Sequence, residues 1–455
     1  MTAKTTKETF EREQIMDDIT NSNISSETPS IDEDKLAKLR AKLALKNKET
    51  EMTTNHSTLA KREKSINFGI VGSGQGGSRL AECWYRLGYD AVAINTAIQD
   101  LKFIDIPDSN KLLLEHGLGG AAKDLELGRQ AAEKYRAQIT ELVNTQLADS
   151  QILILALSLG GGSGAGSCDT LVDILGGTGK PVCVMTVLPM DSEGSQTKSN
   201  ALHTLSKLAK YAQSKKISNL IVVDNAKIEA VYRNVSQIDF FNVANKVIVE
   251  PLDIFNTVSA MPSSSKPLDS MEWAKLLVDG EGLSTYGTIK IYNYQEEDSI
   301  AEAVIENLNG NLLASGFDLK QSKYVGVIVS ANANVWKSVT ASSINYALHL
   351  VEDQCGNPNE VFKGIYVIDT PEDCVTIYSM FSGLSLPESR VAQLKKEVEG
   401  LKLVAQEKDT KRNLSLQLDI GNQEISKVQE IKNKVASKNS AFNKLTNSTI
   451  IDRRK

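Results

Sequence analysis

Apolar runs of strand length alternate with longer stretches of helical periodicity from residue 66 to about residue 387. In the first part of this region, each run is followed by a helical stretch. Such alternation predicts a parallel sheet whose two faces are both covered by helices. The runs are INFGIVG (66–72), DAVAIN (90–95), SQILILALS (150–158), KPVCVMTVL (180–188) and NLIVVDN (219–225).

A long helical stretch at 239–262 separates these runs from a later group. The later group predicts a second sheet with its own helices. We therefore expect two α/β domains in series, at 65–238 and 263–387, joined by a central helix. A chain of 455 residues is long enough for both. The later runs are TIKIYNY (288–294), YVGVIVSA (324–331), KGIYVID (363–369) and DCVTIYSM (373–380).

The first 64 residues have a different composition, rich in Lys, Glu, Ser, Thr and Asn, with Phe10 as the single aromatic residue. This composition offers too little apolar surface to offset the entropy of ordering, which predicts a disordered tail at 1–64. Leu36, Leu39 and Leu43 fit an amphipathic helix. That helix would be either a docking segment for an adaptor or a transient, solvated helix.

Residues 388–455 are highly charged and predict two helices with narrow apolar seams. Such seams suit either a coiled-coil partner or a position on the globular body. The basic charge of this extension fits a solvated tail or an electrostatic contact with an acidic partner. The first seam consists of Val391, Leu394, Val398 and Leu401, and the second of Ile425, Val428, Ile431 and Val435.

Charge and cysteine usage exclude several classes of function. A net charge of -6 and a pI near 5.5 argue against a surface built mainly for nucleic acid, so no sequence-specific nucleic-acid binding is expected. The five cysteines are widely spread without a CxxC pair, which favours a reducing compartment. The longest apolar stretch, 151–159, is too short to cross a bilayer. We expect a cytoplasmic protein, in a bacterium or, if phage-encoded, in its host.

A first glycine cluster, GSGQGGS at 72–78, follows the first predicted strand and precedes a helical stretch. A helix N-terminus approached by such a loop exposes backbone N–H groups that bind phosphate. Gly72, Gly74 and Gly77 also satisfy the dinucleotide pattern GxGxxG. That pattern needs an acidic residue after the second strand, where this chain has Asn95 and Thr96 instead.

A second glycine cluster, GGGSGAG at 160–166, follows the third strand and again precedes a helix. Two loops of this kind in one chain predict a phosphate chain held from both sides. A P-loop is excluded because GxxxxGK[ST] does not occur in the sequence.

These motifs resemble those of the tubulin/FtsZ family. GGGSGAGS (160–167) is similar to the family signature GGGTGTG, and GQGGS (74–78) to the GQCGN loop of tubulin. AINTAIQDL (93–101) resembles a segment of FtsZ, as does HGLGGAAKDLELGRQAA (116–132). The resemblance covers about 66–387. It implies an α/β, tubulin/FtsZ-like fold with a parallel-sheet nucleotide-binding domain, a long central helix, a second α/β domain and a helical C-terminal extension.

The resemblance also implies how a guanine nucleotide, GTP or GDP, is bound. DSEG (191–194) corresponds to the NFEG of FtsZ, which makes Glu193 the ribose contact. Phe241 would stack on the base and Asn245 would bond to its edge. The full set of implied contacts is Gly74, Gln75, Gly76, Ser78, Asn95, Ala121, Ala122, Gly160, Gly161, Gly162, Ser163, Gly164, Ala165, Gly166, Glu193, Asn225, Phe241 and Asn245.

The implied catalytic pair is Asp269 and Glu272, in a segment similar to the acidic loop of the family. In the family this loop reaches the nucleotide of the next subunit, where a carboxylate orients water for attack on the terminal phosphate. The resemblance therefore implies a head-to-tail homopolymer that hydrolyses GTP on assembly. Mg²⁺ would be held mainly by the nucleotide, and no protein metal site is expected.

Several positions depart from the family pattern. Ala97 replaces an Asp, Thr197 replaces a phosphate-side Arg with Lys198 beside it, Lys246 replaces an Asp, and Pro267 replaces an Asn. These changes indicate a divergent member of the plasmid or phage kind. Two alternatives stay open: a nucleotide-binding filament adaptor with little or no GTPase activity, and an NAD-dependent oxidoreductase. Either terminal extension is a possible site for an adaptor.

Overall fold

The computed structural model describes residues 63–116, 119–232, 235–236, 239–263, 265–296 and 298–415, which all belong to the compact unit Arg62–Lys455. The predicted tail segment at 36–43 and the second apolar seam at 425–435 lie outside the described residues.

Strands form where the apolar runs predicted them, with one addition. β3 is short and only half-buried, so no apolar run marks it. In chain order the strands are β1 (Phe68–Ser73), β2 (Asp90–Asn95), β3 (Lys111–Leu113), β4 (Ile152–Ser158), β5 (Val182–Leu188), β6 (Asn219–Asp224), β7 (Leu283–Ile291), β8 (Tyr324–Ala331), β9 (Glu360–Val367) and β10 (Val375–Leu384).

Helices follow most of these strands and cover the sheet. They are α1 (Gly74–Arg86), α2 (Ile98–Lys102), α3 (Leu125–Lys134), α4 (Arg136–Gln146), α5 (Gly162–Gly176), α6 (Ser195–Gln213), α7 (Asn225–Val231), α8 (Phe240–Val258), α9 (Ser270–Val278), α10 (Ser299–Glu306), α11 (Ala333–Trp336), α12 (Ala341–Gln354) and α13 (Glu388–Ser415).

All ten strands belong to one sheet, in the order β3-β2-β1-β4-β5-β6-β7-β10-β8-β9. Pairing is parallel from β3 to β7, antiparallel on both sides of β10, and parallel between β8 and β9. The second sheet expected from the sequence thus extends the first one. The junction is short, since only Leu283 and Ser284 of β7 pair with β6, and it covers an edge of β6 that would otherwise be open.

The central helix α8 contacts both halves of the sheet region through its C-terminal part. Near its C-terminus, Asn256 accepts a hydrogen bond from Trp273 Nε1 of α9 (3.2 Å) and donates one to the carbonyl of Ile66 before β1 (2.8 Å). The ring of Phe255 stacks on Trp273, with centroids 5.1 Å apart. Because these groups are buried, they fix the position of α9 relative to the first half of the sheet.

Helix α13 lies on the body along α6 in its first part. Leu394 and Val398 of the predicted seam are buried, whereas Leu401 is exposed. Of the two alternatives for this seam, packing on the globular body is therefore the one observed as far as Val398.

The five cysteines are free. Burial raises the pKa of both Cys168 and Cys183 to about 12, so their thiols stay protonated near neutral pH. Across the described ranges, we find no helix that is both long and apolar enough to cross a bilayer.

Candidate functional site

A cleft of about 530 Å³ opens where the parallel strands end. Four of these strands, β1, β4, β5 and β6, lead into helices α1, α5, α6 and α7, whose N-termini face the same edge of the sheet. Ligands of open parallel sheets bind at this carboxyl edge, because the strand order there leaves a crevice between neighbouring loops.

The helix N-termini at the cleft are suited to an anion. Within the part of the chain that the structure describes, no side chain caps the starts of α1, α5 and α6, and their first turns contain no acidic residue. By contrast, Asp124 caps α3 and Glu126 follows it. Uncapped N–H groups at the positive end of a helix dipole are favourable partners for phosphate oxygens. This part of the cleft therefore fits a phosphate chain held from several sides.

Glycine is needed in the two loops because they touch each other. A Cβ at Gly74, where φ is +71°, would lie 2.8 Å from the backbone nitrogen of Gly164. A Cβ at Gly164 would lie 2.7 Å from the carbonyl oxygen of Ser73. A Cβ at Gly161, however, would meet none of the described atoms within 4 Å, because that position faces the cleft. The loops are thus packed on one side and open on the ligand side.

The loop before α3 is held in an unusual conformation. Ala122 (φ 45°) and Lys123 (φ 65°) both adopt the left-handed region that non-glycine residues avoid. Asn200 of α6 fixes this loop to the second glycine loop, since its Nδ2 donates to the carbonyls of Lys123 (2.8 Å) and Gly160 (3.2 Å). Backbone strain of this kind concentrates at functional sites. The implied phosphate-facing position of Ala121 and Ala122 is at the cleft surface.

Hydroxyl pairs tie the loops together beneath the cleft. Thr96 Oγ1 and Ser163 Oγ are 2.6 Å apart, and Ser73 Oγ and Ser167 Oγ are 2.7 Å apart. Each pair joins the β1–β2 part of the sheet to the start of α5. These bonds hold the loops at fixed separation without placing side chains in the space between them.

One end of the cleft is aromatic. Phe241, in the first turn of α8, lines the cleft with 38% of its surface exposed. The guanidinium of Arg79 lies 5.9 Å from the centre of its ring. Asn245 is half-buried one turn further along α8 and does not line the cleft. A flat, partly exposed ring beside a cationic group suits the base of a nucleotide.

Glu193 and Asn225 also line the cleft. Glu193 Oε2 accepts a hydrogen bond from the backbone of Met190 at 2.9 Å, which closes the loop between β5 and α6. Asp224, the residue before Asn225, caps α7 by accepting from the backbone of Ala226 at 3.0 Å. Burial raises the pKa of Asp224 above its ordinary value, while the charge of Arg390 and its hydrogen bonds act in the opposite direction.

The structure brings most of the predicted contacts together. The predicted residues that line the cleft are Gly74, Gln75, Gly76, Asn95, Ala121, Ala122, Gly160, Gly161, Gly162, Ser163, Gly164, Glu193, Asn225 and Phe241. Those that do not line it are Ser78, Ala165, Gly166, Asn245, Asp269 and Glu272. Ser78, Ala165 and Gly166 are buried behind the loops.

Asp269 and Glu272 form a capping box at the start of α9. Asp269 Oδ1 accepts from the backbone of Glu272 at 2.8 Å, and Glu272 Oε2 accepts from the backbone of Asp269 at 3.1 Å. Asp269 is exposed, and neighbouring Met271 is 76% exposed. Buried Leu268 and Trp273 anchor the helix start from below. Two carboxylates are therefore presented together at the surface of one chain.

Several residues at or beside the cleft were not identified as site residues from the sequence, among them Arg79, Asp100, Asn200 and Arg390. Arg79 and Asp100 line it, and Asn200 and Arg390 support its walls from behind. Arg79 directly follows the motif GQGGS, and Asp100 lies within AINTAIQDL. Their positions in the sequence were therefore a usable signal. Asn200 and Arg390 had none, because their contacts span large sequence separations.

The chain matches two family models. Residues 67–233 match the Tubulin/FtsZ family, GTPase domain, and residues 254–395 match the Tubulin/FtsZ-like protein TubZ-like, C-terminal domain. Together the two matches cover more than half of the chain.

Characterised relatives extend over most of the same region. The chain is 24% identical over 379 residues to tubulin-like protein TubZ of Bacillus cereus. This match covers 77% of this chain and 86% of that protein. It is 26% identical over 323 residues to tubulin-like protein CetZ of Pyrococcus abyssi, covering 69% of this chain and 85% of the relative.

Solved structures share the fold. A GTPγS-form protofilament of Bacillus thuringiensis serovar israelensis TubZ matches with a TM-score of 0.68 at 19% identity, over 80% of this chain and 98% of that one. A helical model of the TubZ-Bt two-stranded filament matches with a TM-score of 0.70 at 20% identity, over 83% and 98%. The fold and the family implied by the glycine loops are both confirmed. The chain belongs to the tubulin/FtsZ family of GTPases.

Proposed function

We propose that this protein binds GTP in the cleft and hydrolyses it on head-to-tail assembly, when Asp269 and Glu272 of one subunit complete the cleft of the next. The observation that carries the proposal is the set of uncapped helix N-termini around an open glycine loop, with exposed Asp269 and half-buried Glu272 elsewhere on the same chain. Among the described residues, Asp269 and Glu272 do not line the cleft of their own chain, and a second copy would supply them.

Each wall of the cleft has a separate task in this proposal. The N–H groups at the starts of α1 and α5 bind the phosphates and offset the charge that develops during hydrolysis. Glu193 and Asn225 bind the ribose, and Phe241 carries the base. Asp269 acts as the carboxylate that orients and deprotonates water. Mg²⁺ is held mainly by the nucleotide and would supply further positive charge beside the phosphates.

Assembly should depend on GTP. With GTP, the purified chain is expected to give filaments that sediment and are seen by electron microscopy, with phosphate release rising more steeply than protein concentration. Without nucleotide, the protein should stay in the supernatant. Filaments that form equally well without nucleotide would contradict the proposed role of the cleft.

A second candidate function is a nucleotide-binding filament adaptor with little or no hydrolysis. Ala97 and Thr197 favour it, because both line the cleft and both lack the charge that the family pattern has there. Prolonged incubation with GTP separates the two functions. Intact GTP on assembled protein favours the adaptor, and GDP favours the GTPase. The filament would serve positioning, segregation or division in the cytoplasm, with the terminal extensions as sites for an adaptor.

The base end of the cleft predicts an effect of Phe241→Ala. Loss of the ring should weaken GTP binding by about 1–3 kcal/mol, the usual contribution of base stacking on an aromatic side chain. Stability should fall less than for a fully buried phenylalanine, because 38% of the surface of Phe241 is exposed. Binding of a fluorescent GTP analogue to unassembled protein checks the first expectation, and a thermal melt checks the second.

Phe103→Ala is the matched control, since Phe103 is 83% exposed and lies outside the cleft. Its affinity should equal that of the wild type. Equal affinity in Phe241→Ala as well would show that the base does not contact this ring.

A further inference from the structure

Helix α13 begins with a charged side chain buried behind the nucleotide cleft. Arg390 is only 4% exposed. Its Nε donates to Asp224 Oδ2 at 2.6 Å, and its Nη2 donates to Asp224 Oδ1 and to the carbonyl of Pro189, both at 3.2 Å. One guanidinium thus joins α13 to the end of β6 through a two-pronged ion pair and to the end of β5 through the main chain.

A second ion pair lies beside the first. Lys198 of α6 is 3% exposed, and its Nζ lies 2.8 Å from Glu397 Oε2 of α13 and 2.7 Å from the carbonyl of Asp191. Glu397 Oε1 is 3.8 Å from Arg390 Nη1, so the two pairs form one cluster. Burial alone would raise the pKa of Glu397, but hydrogen bonds from Lys198 and Gln393 outweigh it and hold the pKa below its ordinary value.

Every anchor of this cluster is at or next to a residue of the cleft. Pro189 itself lines the cleft, Lys198 follows the cleft residue Thr197, and Asp224 precedes the cleft residue Asn225. Asp224 also caps α7. A displacement of α13 would therefore leave buried charges unpaired and release the loops that form the ribose side of the cleft.

The ion-pair cluster is not needed to bury the apolar face of α13. Leu394 and Val398 already bury an apolar seam of α13 on the body. Buried ion pairs cost desolvation that an apolar contact would avoid, and removal of one partner is strongly unfavourable. Such a cluster fixes the position of α13 relative to the loops at the ends of β5 and β6. The start of α13 is also held close to Gly316, where a Cβ would lie 2.9 Å from the backbone nitrogen of Arg390.

We propose that Arg390 is a positioning residue for the nucleotide site, and that seating of α13 and binding of guanine nucleotide stabilise each other. The inference rests on the proposed function in that the ligand of the cleft is GTP or GDP. Coupling between two binding events is reciprocal, so a nucleotide that needs the loops in place must also favour the seated helix.

The first test is GDP affinity of the full chain below its assembly concentration, measured with a fluorescent GDP analogue. Arg390→Met keeps much of the side-chain volume but loses every ion pair, and should bind about tenfold more weakly. Lys396→Met removes a charge from an exposed position on the same helix and should bind like the wild type.

The second test measures the reciprocal effect by hydrogen exchange of the α13 amides. In the wild type, GDP should slow the exchange of these amides. In Arg390→Met, GDP should no longer slow it. If Arg390 had only a structural role, GDP would still slow the exchange in the variant. If Arg390→Met does not fold, Arg390→Lys decides, because it keeps the charge and loses the two-pronged pair. Weaker GDP binding in Arg390→Lys supports the inference, and wild-type affinity overturns it.

GDP binding by the wild-type chain separates the two proposals. A wild-type chain that does not bind GDP would overturn the proposed function, and this inference with it. A wild-type chain that binds GDP, together with a folded Arg390→Met variant of equal affinity, would overturn this inference alone.

Discussion

Filaments of the Asp269→Asn variant are expected to form with GTP but to hydrolyse it at least about a hundredfold more slowly, the usual range for loss of a general base. Asn is chosen because it replaces the carboxylate without removing the helix cap. Asp269 Oδ1 accepts from the backbone of Glu272, and an amide oxygen can do the same. The thermal midpoint should therefore stay near that of the wild type while phosphate release falls.

The control is Asp279→Asn, at the other end of α9 and also exposed. It removes one carboxylate from the same helix, so turnover should be unchanged. The catalytic assignment is wrong if Asp269→Asn filaments turn over GTP as fast as wild-type filaments. A variant that neither assembles nor hydrolyses would place Asp269 in the contact between subunits and leave water activation to another group.

The separation of the cleft from Asp269 explains why catalysis would need assembly. In the described residues, the uncapped helix starts line the cleft, whereas Asp269 and Glu272 do not. Helix α8 connects them, since Phe241 is in its first turn and Asn256 near its end bonds to Trp273 of α9. In the proposed function, one helix thus connects the nucleotide contacts with the subunit contacts.

The sequence predicted the parts of the fold that have local signals. Buried parallel strands read as apolar runs because both of their faces are covered, which is why β4 with ILILALS was predictable. β3 has three half-buried residues and no such run. The junction of β6 and β7 was missed for another reason: it rests on pairs such as Leu220 with Leu283, and no local pattern encodes so long a separation.

The same distinction applies to the candidate site. The glycine loops were predictable because close approach of two backbones forbids side chains, and that requirement is visible in composition alone. Asn200 and Arg390 were not, because a polar residue on a helix is ordinarily a solvated one. Only the folded chain shows that Asn200 bonds to two loops and that Arg390 pairs with Asp224.

Gly161→Ala should separate nucleotide binding from stability more cleanly than any other change in the loops. The backbone at Gly161 (φ −80°, ψ 158°) is open to alanine, and its Cβ would meet no protein atom within 4 Å. The variant should melt like the wild type or slightly higher, since alanine lowers the entropy of the unfolded chain. Its methyl group would nevertheless occupy the cleft at the start of α5. GTP affinity should fall about tenfold or more, as expected for an intruding methyl group that costs about 1–3 kcal/mol.

Two other glycines, both in α5, serve as comparisons for Gly161→Ala. Gly164→Ala places its Cβ 2.7 Å from the carbonyl of Ser73, a backbone atom of β1 that cannot retreat, so it should lower the free energy of unfolding by about 1–3 kcal/mol with or without nucleotide. Gly176→Ala, at the far end of α5, also meets nothing within 4 Å and should leave affinity unchanged. If Gly161→Ala binds GTP as tightly as Gly176→Ala does, the phosphates do not lie at the start of α5. In that case the open side of the glycine loop is not the ligand side.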